Sequence, residues 1–324
     1  LGDVYKRQAL RMTLIAEVAR AYYELIALDN ELSIVRQTLE TRKEGVHQAR
    51  LRFEGGLTSE TSYQQAQVEL ATTATLIPEL ERRIAVKEHE IALLAGEYPD
   101  RIARQAMDPA ATMPEHLPVG LPSELLRRRP DVRRAEQALE AAYAAVGVAY
   151  TDRFPRIQLS AAIGVENDLL SSLFSSPYSF VSGAIAGPVF GFGKKRARYQ
   201  AQQAAYRQEC RRYERTVLTV FKEVSDAIVT YDSSLRASEL KRNLERAARS
   251  YVELARLQYL NGVINYLDVL DAQRRYFDAQ IGLSNALRDQ RLARVQLYKA
   301  LGGGWEDAPA SPADSTVPAQ SSVK

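Results

Sequence analysis

The chain has 324 residues, 26% of them charged, and a formal net charge of +3. So small an excess gives no reason to expect nucleic-acid binding, which needs a concentrated basic surface. Cys210 is the only cysteine, so no intrachain disulfide is possible; His47, His89 and His116 have no metal-ligand spacing, and no apolar run reaches the roughly 18 residues of a membrane-spanning helix.

Residues 1–8, "LGDVYKRQ", fit no periodic pattern and resemble translated sequencing-adapter sequence. They are expected to be foreign to the protein. From there Leu14, Val18, Ala21, Leu25, Leu28, Leu32, Val35 and Leu39 step by four and three. Val46, Ala49 and Phe53 continue the series after an interruption at Arg42. This heptad seam predicts a helix over residues 10–53, about 60 Å long, packed side by side with long neighbours. "EGGLTSE" then breaks the pattern. Gly55 and Gly56 permit the left-handed backbone that ends a helix, and Thr58 or Ser59 can cap the next, which runs to about Gly96.

This plan occurs twice. "LIAEVARA" (14–21) returns as "VFKEVSDA" (220–227). The separation that takes Glu17 to Glu223 also takes Ala49-Arg50-Leu51 to Ala255-Arg256-Leu257, Gly56 to Gly262, Ala66-Gln67 to Ala272-Gln273 and Gly96 to Gly302. Chance similarity would not hold one register without a gap over that span. The second copy predicts a helix to about Tyr259, a turn at "LNG" and a helix to about Leu301. Its seam is less regular, with Ser238 and Lys241 in place of Leu32 and Val35.

Between the copies, residues 97–124 are rich in proline and read as an irregular connector. "LLRRRPDVRRAEQAL" opens a helix with Pro130 in its first turn and Asp131 at the positive end of its dipole. Its arginines read as a solvated, salt-bridged helix start. Ala135, Ala138, Ala142, Ala145 and Ala149 allow close approach of another helix. The period then changes to two. Ile157, Leu159, Ala161, Ile163 and Val165 alternate with Gln158, Ser160, Ala162, Gly164 and Glu166, and 178–190 forms a second strand with Val181, Ile185 and Val189 on one face. Phe154, Phe190 and Phe192 cluster at one end, and Phe174, Tyr178 and Phe180 at the other. Strands of about ten residues with aromatic ends suit a transmembrane β-barrel; a soluble hairpin packed on the helices is the alternative. "GFGKK" (191–195) lacks the spacing of a phosphate loop. Two strands cannot close a barrel, and open sheet edges are not tolerated in lipid.

"LPSELLRRRPDVRRAEQAL", "FPRIQLSAAIG", "GPVFGFGKKRA", "YLNGVINYLDVLDAQRRYFDAQ" and "VQLYKALGGGW" occur in this order. Together they resemble the TolC superfamily of bacterial outer-membrane channels, most closely its OprM-like lipoprotein efflux branch. The resemblance implies a mainly α fold: two long antiparallel helical hairpins in tandem repeat, with an inserted β-hairpin contributing to a trimeric transmembrane barrel. The expected divisions are a first helical hairpin at 9–96, a connector at 97–129, a helix at 130–153, a membrane β-hairpin at 154–190, a second helical hairpin at 191–301 and a disordered tail from 302. A family protomer supplies four strands. The first strand pair and the lipidated cysteine are therefore expected upstream of residue 9.

The resemblance further implies a passive duct rather than an enzyme, with no cofactor and no metal. Its partners would be two further copies of itself, a periplasmic adaptor, an inner-membrane pump of the proton-driven RND class and the outer-membrane lipid, and its cargo small molecules such as drugs. A type I protein-secretion duct of the same fold and a soluble periplasmic coiled-coil scaffold or adaptor are the alternatives. Gly56 and Gly262 match the helical tips that meet the adaptor. Asp268 and Asp271, three residues apart on one helix face, match the acidic pair that narrows the entrance, where threefold symmetry would make rings that favour cations. Asp268 can alternatively be a solvated residue at the positive end of its helix. Tyr259, Arg274 and Ser62 are latch candidates, with Arg274 placed to pair with an aspartate. Ser62 and Ile264 stand where the family archetype has an aspartate and an arginine, which leaves the latch incomplete. Ile157, Leu159, Ile163, Val181, Ile185 and Val189 are expected to face lipid.

Overall fold

A computed structural model describes residues 2–104, 126–165, 177–187 and 193–303. Among the described residues five helices and two strands follow in order: α1 (Gly2–Glu54), α2 (Glu60–Ala95), α3 (Pro130–Thr151), β1 (Arg156–Val165), β2 (Pro177–Ala186), α4 (Lys194–Leu260) and α5 (Tyr266–Ala300). The molecule is mainly helical, with one small antiparallel β-hairpin. The connector at 105–125, the strand-joining loop with Phe174, the stretch holding Val189, Phe190 and Phe192, and the tail from 304 lie outside the described residues. These elements form two compact units: residues 1–6 with 130–219, and residues 7–129 with 220–324.

Helix α1 starts at Gly2, ahead of the expected start at Leu10, so residues 2–8 are helical, and from Arg7 on it belongs to the larger unit. At 53 residues it is about 80 Å long. Its seam is buried where it meets α2: Ala21, Leu25, Leu28, Leu32 and Val35 share a core with Leu80, Ile84 and Ile91. Phe277 of α5 and Ile102, beyond α2, pack against the same core. At the ends of the seam Leu14 and Phe53 are exposed. Asn30 on α1 donates to Ser284 on α5 (2.8 Å), and Lys87 on α2 donates to Glu24 on α1 (2.9 Å). Arg104 bonds both Asp29 and Glu88, fastening the chain after α2 back onto the first hairpin. In the second copy Ser238 is buried and bonds the carbonyl of Leu235 (2.8 Å), so a small residue fills the place of Leu32.

The arginine run before α3 meets its expectation in part: Arg127 and Arg128 are exposed and Arg129 forms an ion pair, but that last arginine is withdrawn from solvent. Arg129 is buried, not solvated, and donates to the carbonyl of Ala300 (3.0 Å) and the carboxylate of Glu223 (2.7 Å). A guanidinium can be held away from water when its donors meet a carbonyl and a carboxylate together.

In the smaller unit, α3 meets the start of α4 through aromatic pairs, Tyr143 with Tyr206 (ring centroids 5.7 Å apart) and Tyr150 with Tyr199 (5.8 Å). Of the five alanines expected to line a helix contact, Ala149 is buried, three are half-buried and Ala138 is exposed. The hairpin pairs Ile157 with Ile185, Leu159 with Gly183, Ala161 with Val181 and Ile163 with Ser179. Its other face carries Gln158, Ser160, Ala162 and Gly164 opposite Ala184, Ser182, Phe180 and Tyr178. Tyr178 stacks beside Phe180 and lies over Gly164, where an added Cβ would meet the ring at 3.0 Å. Gly164 is therefore a space for an aromatic ring.

Candidate functional site

The two helical turns sit at one end of the larger unit, brought together by an apolar cluster of Ala49, Ala66, Tyr259, Tyr266, Val269 and Leu270. Each turn closes the same way. The amide of Gly56 bonds the carbonyl of Phe53 (2.9 Å) and that of Leu57 bonds Arg52 (2.8 Å); Gly262 bonds Tyr259 (3.0 Å) and Val263 bonds Gln258 (2.9 Å). These are the paired bonds of a Schellman end, and they require a left-handed residue, met by φ of 70° at Gly56 and 73° at Gly262. Both glycines are exposed, with nothing within 4 Å of an added Cβ. The next helix then starts from an extended residue in each copy, Ser59 (φ −74°, ψ 154°) and Asn265 (φ −81°, ψ 161°).

The starts of α2 and α5 are closed by different residues at their third position. Asp268 is exposed and accepts the backbone amide of Asn265 (3.0 Å), a carboxylate closing the first turn of α5. Its equivalent in α2 is Ser62, half-buried, whose backbone amide bonds the carbonyl of Ser59 (3.1 Å). Asp271, half-buried, accepts Nε of Arg275 one turn on (2.7 Å). Each member of the acidic pair therefore has a local partner: a helix end for Asp268 and a guanidinium for Asp271.

Among the described residues Arg274 pairs with a glutamate, not with an aspartate. It donates Nε to Oε1 of Glu69 on α2 (2.9 Å). Glu69 also holds Arg42, whose Nη1 reaches the carboxylate and, at 2.7 Å, the Glu69 carbonyl. The seam's interruption at Arg42 is thus a buried ion pair, with 7% and 11% of the two side chains exposed. Burial alone would raise the Glu69 pKa. The hydrogen bond from Arg274 and the charges of Arg42 and Arg274 outweigh it and hold the carboxyl below the usual carboxylate range. Three helices, α1, α2 and α5, meet at this carboxylate.

Tyr259 is buried beneath the guanidinium of Arg52, 4.4 Å from its ring centre, and its ring lies 5.4 Å from that of Tyr266. Its hydroxyl has no hydrogen-bond partner among the described residues. Ile264 packs half-buried against the same cluster. Burial, with the neighbouring Tyr259, pushes the Tyr266 phenol up to about 12. Sequence reasoning missed Glu69, Tyr266, Arg52 and Arg275; the break at Arg42 was the one visible sign of the charged cluster. Among the described residues no group of His, Cys, Asp or Glu could hold a metal ion.

In the smaller unit, Ile157, Leu159 and Ile163 share one face of the hairpin with Val181 and Ile185, and all five are at least 75% exposed. Val189 lies outside the described residues. No described helix is long and apolar enough to cross a membrane.

The family model described as outer membrane efflux protein matches residues 3–97 and 121–303. Outer membrane protein OprJ of Pseudomonas aeruginosa is 31% identical over 307 residues, covering 93% of this chain and 63% of its own length. The solvent efflux pump outer membrane protein SrpC of Pseudomonas putida is 35% identical over 306 residues, covering 92% and 64%. The chain thus spans less than two thirds of these curated relatives. Among solved structures, the outer-membrane channel OprN superposes with a TM-score of 0.84 at 30% identity, over 94% of this chain and 69% of that one. The outer membrane protein VceC of Vibrio cholerae gives 0.80 at 26% identity, over 94% and 73%. With both copies of its repeat matched and its fold shared over almost its whole length, the chain belongs to the outer membrane efflux protein family.

Proposed function

We propose that the chain is part of a passive outer-membrane exit duct for small molecules. Its β-hairpin lies in the bilayer as part of a barrel shared by three protomers, and its helices line a periplasmic tunnel. The observation that carries this reading is the hairpin: ten-residue strands with an apolar face wholly exposed, in a chain of the efflux family. A strand of this length spans a bilayer when tilted, and the exposed face would meet lipid. The Gly56 and Gly262 tips would meet a periplasmic adaptor coupled to an RND-type pump.

Asp268 and Asp271 would form the constriction at the tunnel entrance. Their support is that both retain solvent access, share one face of α5 and follow the Gly262 turn closely. A buried Tyr259 hydroxyl without a partner among the described residues of its own chain supports a latch completed by another protomer. Changing both aspartates to alanine in reconstituted trimers is expected to reduce cation preference and alter conductance while leaving assembly intact. Unchanged ion selectivity in bilayer recordings would remove the pair from the pore.

A further inference from the structure

The base of the β-hairpin is cationic, and contacts among the described residues account for only part of that charge. Residues 150–156 and 193–200 hold Arg153, Arg156, Lys194, Lys195, Arg196 and Arg198 against one carboxylate, Asp152. Asp152 is engaged by Arg156 (2.7 Å) and Arg198 (3.6 Å). Lys194 and Arg196 are exposed and have no ion pair among the described residues. The first turn of α4 contains no acidic residue. Cations at a helix N-terminus oppose its dipole, so these side chains weaken the local helix instead of supporting it.

The boundary of this patch is abrupt. Beyond Arg156 neither strand carries a charged residue, and the sequence joining the strands has Glu166 and Asp168 but no cation. The patch is also fixed in place. The Arg153 guanidinium lies 5.6 Å from the ring centres of both Tyr150 and Tyr199, joining the end of α3 to the start of α4. Pro155 closes against Gly187, where an added Cβ would come within 3.1 Å. Phe154, half exposed, lies between Arg153 and Arg156, the first strand residue.

We propose that this patch binds the phosphates of anionic phospholipid headgroups, anchoring the base of the hairpin at the periplasmic surface of the bilayer. The inference rests on the membrane placement of the hairpin proposed above. A fixed cluster of Lys and Arg, bordered by aromatic rings and an uncharged apolar strand, has the chemistry of an interface between headgroups and hydrocarbon. Lys194 and Arg196 donate to phosphate oxygens, Arg153 from its aromatic seat does the same, and Phe154 lies at the level where chains begin.

The test uses the whole chain with vesicles of phosphatidylcholine alone or mixed with phosphatidylglycerol. Binding is expected to be stronger to the mixed vesicles, and the gain to fall with added salt. Lys194→Gln and Arg196→Gln should each reduce that gain about fivefold, while Lys194→Arg with Arg196→Lys keeps it. Because the glutamines relieve an unfavourable dipole contact, helicity by circular dichroism should not fall. Equal binding to both vesicles, or a gain untouched by the glutamine variants, overturns the headgroup site and leaves the membrane placement standing. No binding to either vesicle also overturns the headgroup site, whereas the membrane placement, which needs the shared barrel, is tested separately by Ile163→Arg in the assembled channel. Loss of the gain in inorganic phosphate at matched ionic strength, with chloride without effect, would mark a free-anion site and overturn the lipid assignment.

Discussion

Glu69 shows how one side chain fixes a meeting of helices. A carboxylate so little exposed is tolerated because Arg42 and Arg274 approach it from two different helices. Taking its charge away while leaving its shape leaves Arg42 buried and uncompensated. Glu69→Gln is expected to destabilise the larger unit by about 3 kcal/mol in denaturant unfolding. The pH dependence has a definite sign. Because the folded carboxyl titrates below its unfolded value, its contribution is complete above the ordinary carboxylate range. It is lost as pH falls through the lowered pKa. Glu69→Gln should therefore flatten the acid limb of the stability profile. Of this cluster only Arg42 stood out in the sequence, since one cation in an apolar seam breaks a period. Glu69 and Arg274 obey the ordinary pattern of polar helix positions, and the contacts that single them out join distant parts of the chain.

The turns and helix ends repeat from copy to copy. Gly96 and Gly302, with φ of 76° and 79°, close α2 and α5 through the same pair of backbone bonds that Gly56 and Gly262 use at the tips. At the tips no atom crowds the missing side chain, so the cost of adding one is purely conformational. Gly56→Ala and Gly262→Ala should each destabilise by about 1 kcal/mol, and Gly56→Asn by less, because asparagine tolerates the left-handed region. Equal thermal stability of the alanine and asparagine variants would argue against that cause. The repeat, its glycines and most helix bounds were legible because Schellman ends and heptads are written locally. The start of α1 was not, because the sequence of residues 2–8 has no seam of its own and is carried as a continuation of the helix that follows.

For the whole molecule the decisive feature is the exposed apolar face of the hairpin. A two-stranded sheet is marginal in water even when one face is covered, and here Ile157, Leu159, Ile163, Val181 and Ile185 are all open. Such a face needs an apolar surrounding, which the proposed barrel in lipid supplies. Ile163 is 89% exposed and sits beside small residues. Ile163→Arg in the assembled channel should lower barrel stability by about 2–4 kcal/mol if the site lies near the midplane. Heat stability of the trimer on gels checks this, and an unchanged melting point would count against a lipid-facing Ile163.

The sequence by itself determined the tandem repeat, the glycine turns, the helix and strand periods and the family, because each depends on residues close along the chain or on ordered motifs. Only the tertiary structure decided which charges find partners. Asp268 closes its own helix end, Asp271 meets Arg275, Arg274 crosses to Glu69, and Arg129 is buried against Glu223 and Ala300. A charged side chain looks alike in sequence whether solvated or paired. The choice is made by the donors and acceptors that packing brings within about 3 Å, and by the water it removes.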